Sequence, residues 1–186
     1  MSEDLTEKTE TTERVYDGKV VKLYRDTVLL PDGGTSVREY VKHLGAVCVV
    51  PVTDDGNVVL ERQYRYAVGQ TLVEIPAGKL DSADEDRLEA AKRELREETG
   101  AVAREWTCLG DYYGSPAIMG ERITMYLARG LTFGAQDLDE DERLEVFTLP
   151  LAEAVRDVFS AKITDGKTQV ALLRAAQVCG LLKSES

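Results

Sequence analysis

The apolar positions mark out the elements of this 186-residue chain before any chemistry is considered. "GKVVKLYRDTVLL" (18–30) and "TSVREYVKH" (35–43) flank "PDGG", whose Asp-Gly and Gly-Gly steps accept positive φ, so they predict two strands around a turn. "GAVCVVPV" (45–52) reads as a buried strand, "DDGN" as the next turn, and "NVVLERQY" (57–64) as another strand. "TLVEIPAG" (71–78) is extended until Pro76 and Gly78 end it. From 84 to 99 the period becomes helical: Leu88, Ala91 and Leu95 share a face, and Gly100 suits the residue after the last turn. Further strands are predicted at "WTCLGDYY", "RITMYLARGL" and "RLEVFTL". Pro150 then opens a helix through about Phe159, and a last helix covers "KTQVALLRAAQVCG". Strands in the middle, one helix inserted and two at the end argue for α+β.

Composition narrows the classes. Hydrophobic residues make up 43%, enough for one domain with a core. The longest apolar run, "LGAVCVVPV", is far too short to span a bilayer. "MSEDLTEKTETTER" (1–14) is polar and acidic, without the apolar stretch of a signal peptide, and is expected to be a disordered tail. The formal charge of −11, from 34 acidic and 23 basic residues, repels phosphate backbones and makes nucleic acid a poor partner. Cys48, Cys108 and Cys179 have no CxxC spacing and read as free thiols in a reducing cytoplasm.

The segment "RELREETG" (93–100) poses the chemical question. On a helix, Glu94 and Glu98 lie one turn apart with Glu97 beside them; like charges so spaced repel, and the dipole at a helix C-terminus disfavours them further. The plain alternative is a solvated face stitched by Glu89–Arg93 and Arg93–Glu97 pairs. Against it, the repulsive pair gains a structural helix nothing, and the carboxylates follow a backbone turn at "PAG". A divalent cation such as Mg2+, which takes carboxylate and carbonyl oxygens, would reverse each penalty.

"GKLDSADEDRLEAAKRELREETGA" (78–101) resembles the Nudix box: Gly, a spacer, Glu, seven residues, then Arg-Glu-aliphatic-x-Glu-Glu-x-Gly. The spacer after Gly78 is one residue longer than the family's, so Asp84 or Glu85 takes the first acidic position, and Ala101 is a small final residue. The resemblance implies the Nudix fold, a mixed β-sheet sandwiched between α-helices, and hydrolysis of a nucleoside diphosphate linked to a second moiety. It implies that Glu94 and Glu98 ligate Mg2+, with Mn2+ as an alternative, that Glu97 ligates or supports it, that Arg93 orients the glutamates, and that the Ala77 carbonyl is a further ligand.

From about residue 38 onward the chain is similar to the ADP-ribose pyrophosphatase branch, through "ERQYRYAVGQTLVEIPAGKLD" and "YYGSPAIMGERITMYLA". Ser115, Pro116 and Glu121 fit that branch's substrate loop. Arg62 and Arg65 are candidates to hold the diphosphate, since guanidinium matches phosphate oxygens in two places; strand alternation puts Arg62 and Tyr64 on one face and Arg65 on the other, and the competing reading is a solvated strand edge. Glu74 is expected to contact ribose or adenine, and Tyr64 and Tyr113 are candidates to stack on a base, against a core role. The acidic run "DLDEDERLE" (137–145) lacks the EF-hand Gly and Glu, having Glu142 and Thr148 there. In this branch a loop at this place supplies a glutamate that helps activate water, a role carried to Glu140 with Glu142 as the alternative. His43, the sole histidine, leaves Ser-His or Cys-His chemistry little material and reads as a hydrogen-bonded or surface residue.

The expected organisation is a tail (1–14), an N-terminal β-hairpin (15–43) of the kind that dimerises in this branch, and a Nudix domain (44–183). The expected activity is Mg2+-dependent hydrolysis of ADP-ribose to AMP and ribose 5-phosphate by a cytoplasmic homodimer. The rivals are a broader nucleotide-sugar or dinucleotide pyrophosphatase and a non-catalytic ADP-ribose-binding module.

Overall fold

The computed structural model describes residues 4–138, 140 and 142–182. The elements are β1 (Lys8–Asp17), β2 (Lys22–Leu29), β3 (Thr35–Val41), β4 (Ala46–Pro51), β5 (Asn57–Arg65), β6 (Gln70–Glu74), β7 (Ala77–Lys79), α1 (Arg87–Thr99), β8 (Ala101–Tyr112), β9 (Ile123–Phe133), β10 (Leu144–Pro150), α2 (Leu151–Phe159) and α3 (Gly166–Val178). No helix among the described residues is long and apolar enough to cross a membrane.

One unit comprises the residues up to Leu44 together with Tyr113–Glu121. Its antiparallel sheet runs β1-β2-β3, not the two-stranded hairpin expected over 15–43. Residues 8–14, expected to lack structure, belong to β1, which pairs with β2 from Lys8 opposite Leu29 to Asp17 opposite Lys22. Composition misled there because a strand exposed at all ten positions carries no apolar signal. Its order rests on the ladder and on cross-strand charge pairs such as Arg38 with Glu7 at 2.5 Å.

The other unit comprises Gly45–Tyr112 and the residues from Arg122 onward. One sheet has the order β7-β4-β9-β8, with β4 and β9 parallel and the other pairs antiparallel; a second, antiparallel sheet runs β10-β5-β6. Strand β4 is apolar throughout because both its faces are covered. Ala46, Cys48 and Val50 face a core with Leu151 and Ala154 of α2 and Ala171, Leu172 and Ala175 of α3. Val47 and Val49 face a second core with Ala90, Ala91 and Leu95 of α1. This is the mixed sheet sandwiched between helices that the Nudix resemblance implied.

Helix α1 starts at Arg87, three residues later than the apolar period suggested, because the Asp86 side chain accepts from the Leu88 and Glu89 amides and acts as its N-cap. Such a cap contributes about 0.5–2 kcal/mol. Leu95 is fully buried, worth about 1.5–3 kcal/mol, and fixes the helix against β4. Gly100 ends it with φ 70°, its amide donating to the Arg96 carbonyl. A Cβ at Gly100 would stand 2.4 Å from the Gly134 carbonyl oxygen. Gly100→Ala therefore combines a left-handed backbone with a backbone clash and is expected to destabilise by about 1–3 kcal/mol or more. A lower urea midpoint at unchanged m-value checks this; an unchanged midpoint contradicts it.

Candidate active site

Two segments build the site: the C-terminal half of α1 and the chain where β6 gives way to β7. Pro76 interrupts the extended run, and its carbonyl accepts from the Val49 amide at 2.9 Å, so the turn stays docked on β4. The Ala77 amide then donates to Glu98 Oε2 at 2.8 Å. Glu98 is only 3% exposed and occupies the buried stripe that Ala91 and Leu95 begin, where an apolar residue would serve a structural helix better. Glu94 lies against Gly78, where any Cβ would stand 1.9 Å from its carboxyl carbon, so only glycine admits the carboxylate there.

Arg93 organises the acids. Its Nη1 donates to Glu94 Oε1 at 2.8 Å and Glu97 Oε2 at 3.2 Å. Its Nε and Nη2 each reach Glu85 Oε1 at 3.3 Å, and Nη2 also reaches the Lys79 carbonyl at 3.2 Å. Glu85, not Asp84, therefore takes the first acidic position; it also accepts from the Asp81 amide at 2.6 Å. The anticipated Glu89–Arg93 pair is replaced by Glu89 with Lys92, because Arg93 is committed to the other side.

The acidic loop is tied to the end of the same helix. The Asp137 amide donates to the Glu97 carbonyl at 2.9 Å, Gln136 donates to the Glu98 carbonyl, and Arg96 meets Asp137 at 3.5 Å. Of the two loop glutamates, Glu142 is the one the geometry brings in. Gln63 Nε2 donates to Glu142 Oε1 at 3.2 Å, and its charge is felt by Glu61, Glu94 and Glu98. Glu140 is exposed, and no described side chain holds its carboxylate; its backbone carbonyl accepts from Arg143 at 2.9 Å.

Arg65 and Glu74 form one ion-paired unit, with Arg62 apart from it. Glu74 is buried, and its two oxygens accept from Arg65 Nε at 2.6 Å and Arg65 Nη2 at 2.8 Å, with Lys167 also on Oε2. Burial works to raise the Glu74 carboxyl, but these cations outweigh it and hold it below the ordinary range. Both oxygens of Glu74 are thus paired with cations, and this pairing positions Arg65. Arg65 keeps its Nη1 edge clear of hydrogen bonds among the described residues. Arg62 lies on the opposite face, as alternation required, stacked 4.0 Å from the Phe147 ring and 3.3 Å from Glu145. With Tyr64, Thr71, Glu140, Glu142 and Arg143 it lines an open cleft of about 690 Å3, large enough for a nucleotide. Tyr64 and Tyr113 are both exposed and take no part in the core.

Ser115, Pro116 and Glu121 belong to the N-terminal unit. There the Ser115 carbonyl accepts from Ile118 and Met119, closing a turn, and Glu121 stands 3.5 Å from His43. The thiols are free; burial pushes Cys48 up to about 12.

One residue escaped the sequence reading. Glu61 is fully buried on β5, directly opposite Glu74, and neither of its carboxylate oxygens has a hydrogen-bond partner among the described residues. The signal was a glutamate ending the apolar run "VVLE", which on a strand reads equally as the start of a solvated end. Burial raises Glu61, Glu94 and Glu98 alike, Glu94 to about 7, and Glu61 is the strongest of the charges that raise Glu98 further.

Orphaned buried oxygens, a glycine cradle under Glu94 and an all-oxygen donor set fit a hard divalent cation. Among the described residues the acids are not gathered into a finished ligand cage. Arg93 holds Glu94 and Glu97 instead, so binding requires these side chains to exchange partners.

The metal-free protein should show this charge. A carboxyl raised from the usual 4.5 to about 7, as in Glu94, gives stability fully present below about pH 4.5 and lost as pH rises toward 7; Glu61 and Glu98 act in the same direction. In EDTA, Tm should fall between about pH 5 and 8, and Glu94→Gln should flatten the fall. Equal slopes in both proteins contradict this.

Residues 42–175 match the NUDIX domain, and residues 7–41 match the nucleoside diphosphate sugar hydrolase N-terminal domain. The chain is 42% identical over 170 residues, 90% of this chain and 91% of the relative, to the ADP-ribose pyrophosphatase of Bacillus subtilis (strain 168). It is 42% identical over 168 residues, 89% of this chain and 90% of the relative, to the methanol dehydrogenase activator of Bacillus methanolicus. A crystal structure of an ADP compounds hydrolase superposes with a TM-score of 0.83 over 96% of this chain and 97% of that one, at 23% identity, and so matches in fold. The chain belongs to the Nudix family of hydrolases.

Proposed function

We propose that this hydrolase is an Mg2+-dependent ADP-ribose pyrophosphatase that yields AMP and ribose 5-phosphate. The observation that carries the reading is the intact carboxylate set on α1, with Glu98 buried at the Ala77 amide, in a chain so similar over nine-tenths of its length to an ADP-ribose pyrophosphatase. A module that only binds nucleotide has no use for buried acids that repel one another.

Glu94, Glu98 and the Ala77 carbonyl would hold the cation, with Glu97 ligating or supporting it. When bound, such an ion neutralises charge on the diphosphate and makes water more acidic. Arg93 keeps the acids in register through its contacts to Glu85, Glu94 and Glu97. Arg65, aimed by Glu74, offers its remaining guanidinium edge to a phosphate oxygen. Glu142, on the loop anchored at the end of α1, accepts the proton of the attacking water. Ser115, Pro116 and Glu121 are proposed to contact the substrate beyond the diphosphate. A broader nucleotide-sugar pyrophosphatase remains the second reading, favoured by the description of the domain that residues 7–41 match.

A panel of ADP-ribose, a GDP-sugar, a dinucleotide and ATP, incubated with enzyme and Mg2+ and resolved by chromatography, tests the assignment. ADP-ribose is expected to be consumed fastest; turnover of another substrate with ADP-ribose untouched overturns it. Glu142→Gln should lower kcat by about 10²–10⁴-fold, whereas Glu140→Gln should change it only a few-fold; the reverse order returns the role to Glu140.

We further propose a homodimer assembled through the N-terminal unit. A strand exposed at every position, in a sheet that also exposes Val15, Tyr16 and Val37, is better satisfied by a partner than by water. Light scattering should give the mass of two 20.6 kDa chains, and the mass of one chain overturns this.

A further inference from the structure

Glu61 is a residue that the reading above leaves unused. It sits on the central strand of β10-β5-β6 with no exposed surface. Cross-strand neighbours point to the same face, so it lies beside Glu74, a like charge that destabilises a sheet. The two acids are treated differently. Glu74 takes both nearby cations, Arg65 and Lys167, while neither oxygen of Glu61 is hydrogen-bonded among the described residues. A buried carboxylate without a partner costs several kcal/mol. Protonation does not remove the difficulty, because a buried hydroxyl also needs an acceptor.

The surroundings say what is lacking. Gln63, two residues along the same face, holds Glu142. Three residues beyond Glu74, the Ala77 amide holds Glu98. Glu61 therefore stands between the loop acid and the helix acid. Among the described residues the unsatisfied buried polar atoms there are the two carboxylate oxygens of Glu61, acceptors that a cation would satisfy.

We propose that Glu61 is an additional carboxylate of the divalent-cation site, contributed by strand β5 and acting together with Glu98 and Glu94 of α1. The proposal rests on the reading of the α1 carboxylates as that site. It assigns the site a donor from the second sheet, so that ion binding would tie β5 to α1.

The test uses Mn2+ alone, with no substrate, and measures free Mn2+ by electron paramagnetic resonance in wild type, Glu98→Gln, Glu61→Gln and Glu61→Leu. Both Glu61 variants are expected to bind Mn2+ at least about tenfold more weakly than wild type. Their metal-free Tm should equal or exceed the wild-type value, since an unpaired charge has gone. A folded Glu61 variant that binds within about twofold of wild type, while Glu98→Gln loses the ion, overturns the role of Glu61 and leaves the α1 site standing. Failure of both Glu61 variants to fold without metal also overturns it, because the carboxylate would then be holding the core together. If wild type itself takes up no Mn2+, the α1 reading and this proposal fall together.

Discussion

The hydrogen bond from the Ala77 amide to Glu98 is the constraint on which the site depends. It holds one carboxylate in the core beside others, although unit charges 4 Å apart interact by about 4 kcal/mol at an effective dielectric constant of 20. The helix does not yield, because Ala91 and Leu95, on the same stripe as Glu98, are locked against Val47 and Val49. The turn does not yield either, because Pro76 is bonded to Val49. Apolar packing thus keeps together groups that electrostatics alone would drive apart. Arg93 neutralises the outer members, Glu85, Glu94 and Glu97, and leaves Glu98 inward.

A cation on β5 and one on α3 converge on one acid. Arg65 and Lys167 both serve Glu74, and Asp165 and Thr168 fix the start of α3 beside them. The Thr168 hydroxyl in turn accepts from the Ile75 amide, so α3 steadies the same turn that carries Ala77. One stretch of six residues, Glu74 to Lys79, thereby links an aimed guanidinium, a glycine cradle and the carbonyl that clamps Arg93. Function here depends less on any single side chain than on the two helices that pin this stretch from opposite sides.

Much of this was legible from residue order alone. The helical period through Leu88, Ala91 and Leu95, the stop at Gly100 and the apolar run of β4 depend on local chemistry, and the structure places those elements within a few residues. Arg93 with Glu97 was legible for the same reason, since i and i+4 neighbours meet on any helix. The misses are non-local or lack an apolar signal. Strand β1 carries no hydrophobic pattern. Nothing local reveals that Arg65 and Lys167, the latter ninety-three residues away, converge on Glu74. Glu61 was hidden because whether a glutamate at a strand's end is solvated or buried is decided by what packs over it. The contact of Glu142 with Gln63, seventy-nine residues distant, was hidden for the same reason.

The central claim is that buried acids on α1 gather around a divalent ion. Crystals grown with Mn2+ and measured at a wavelength where manganese scatters anomalously address it directly. The account predicts an anomalous peak bounded by Glu98, Glu94 and the Ala77 carbonyl, with Arg93 released from Glu94. A map with no peak there, or with manganese bound only elsewhere on the acidic surface, would contradict it.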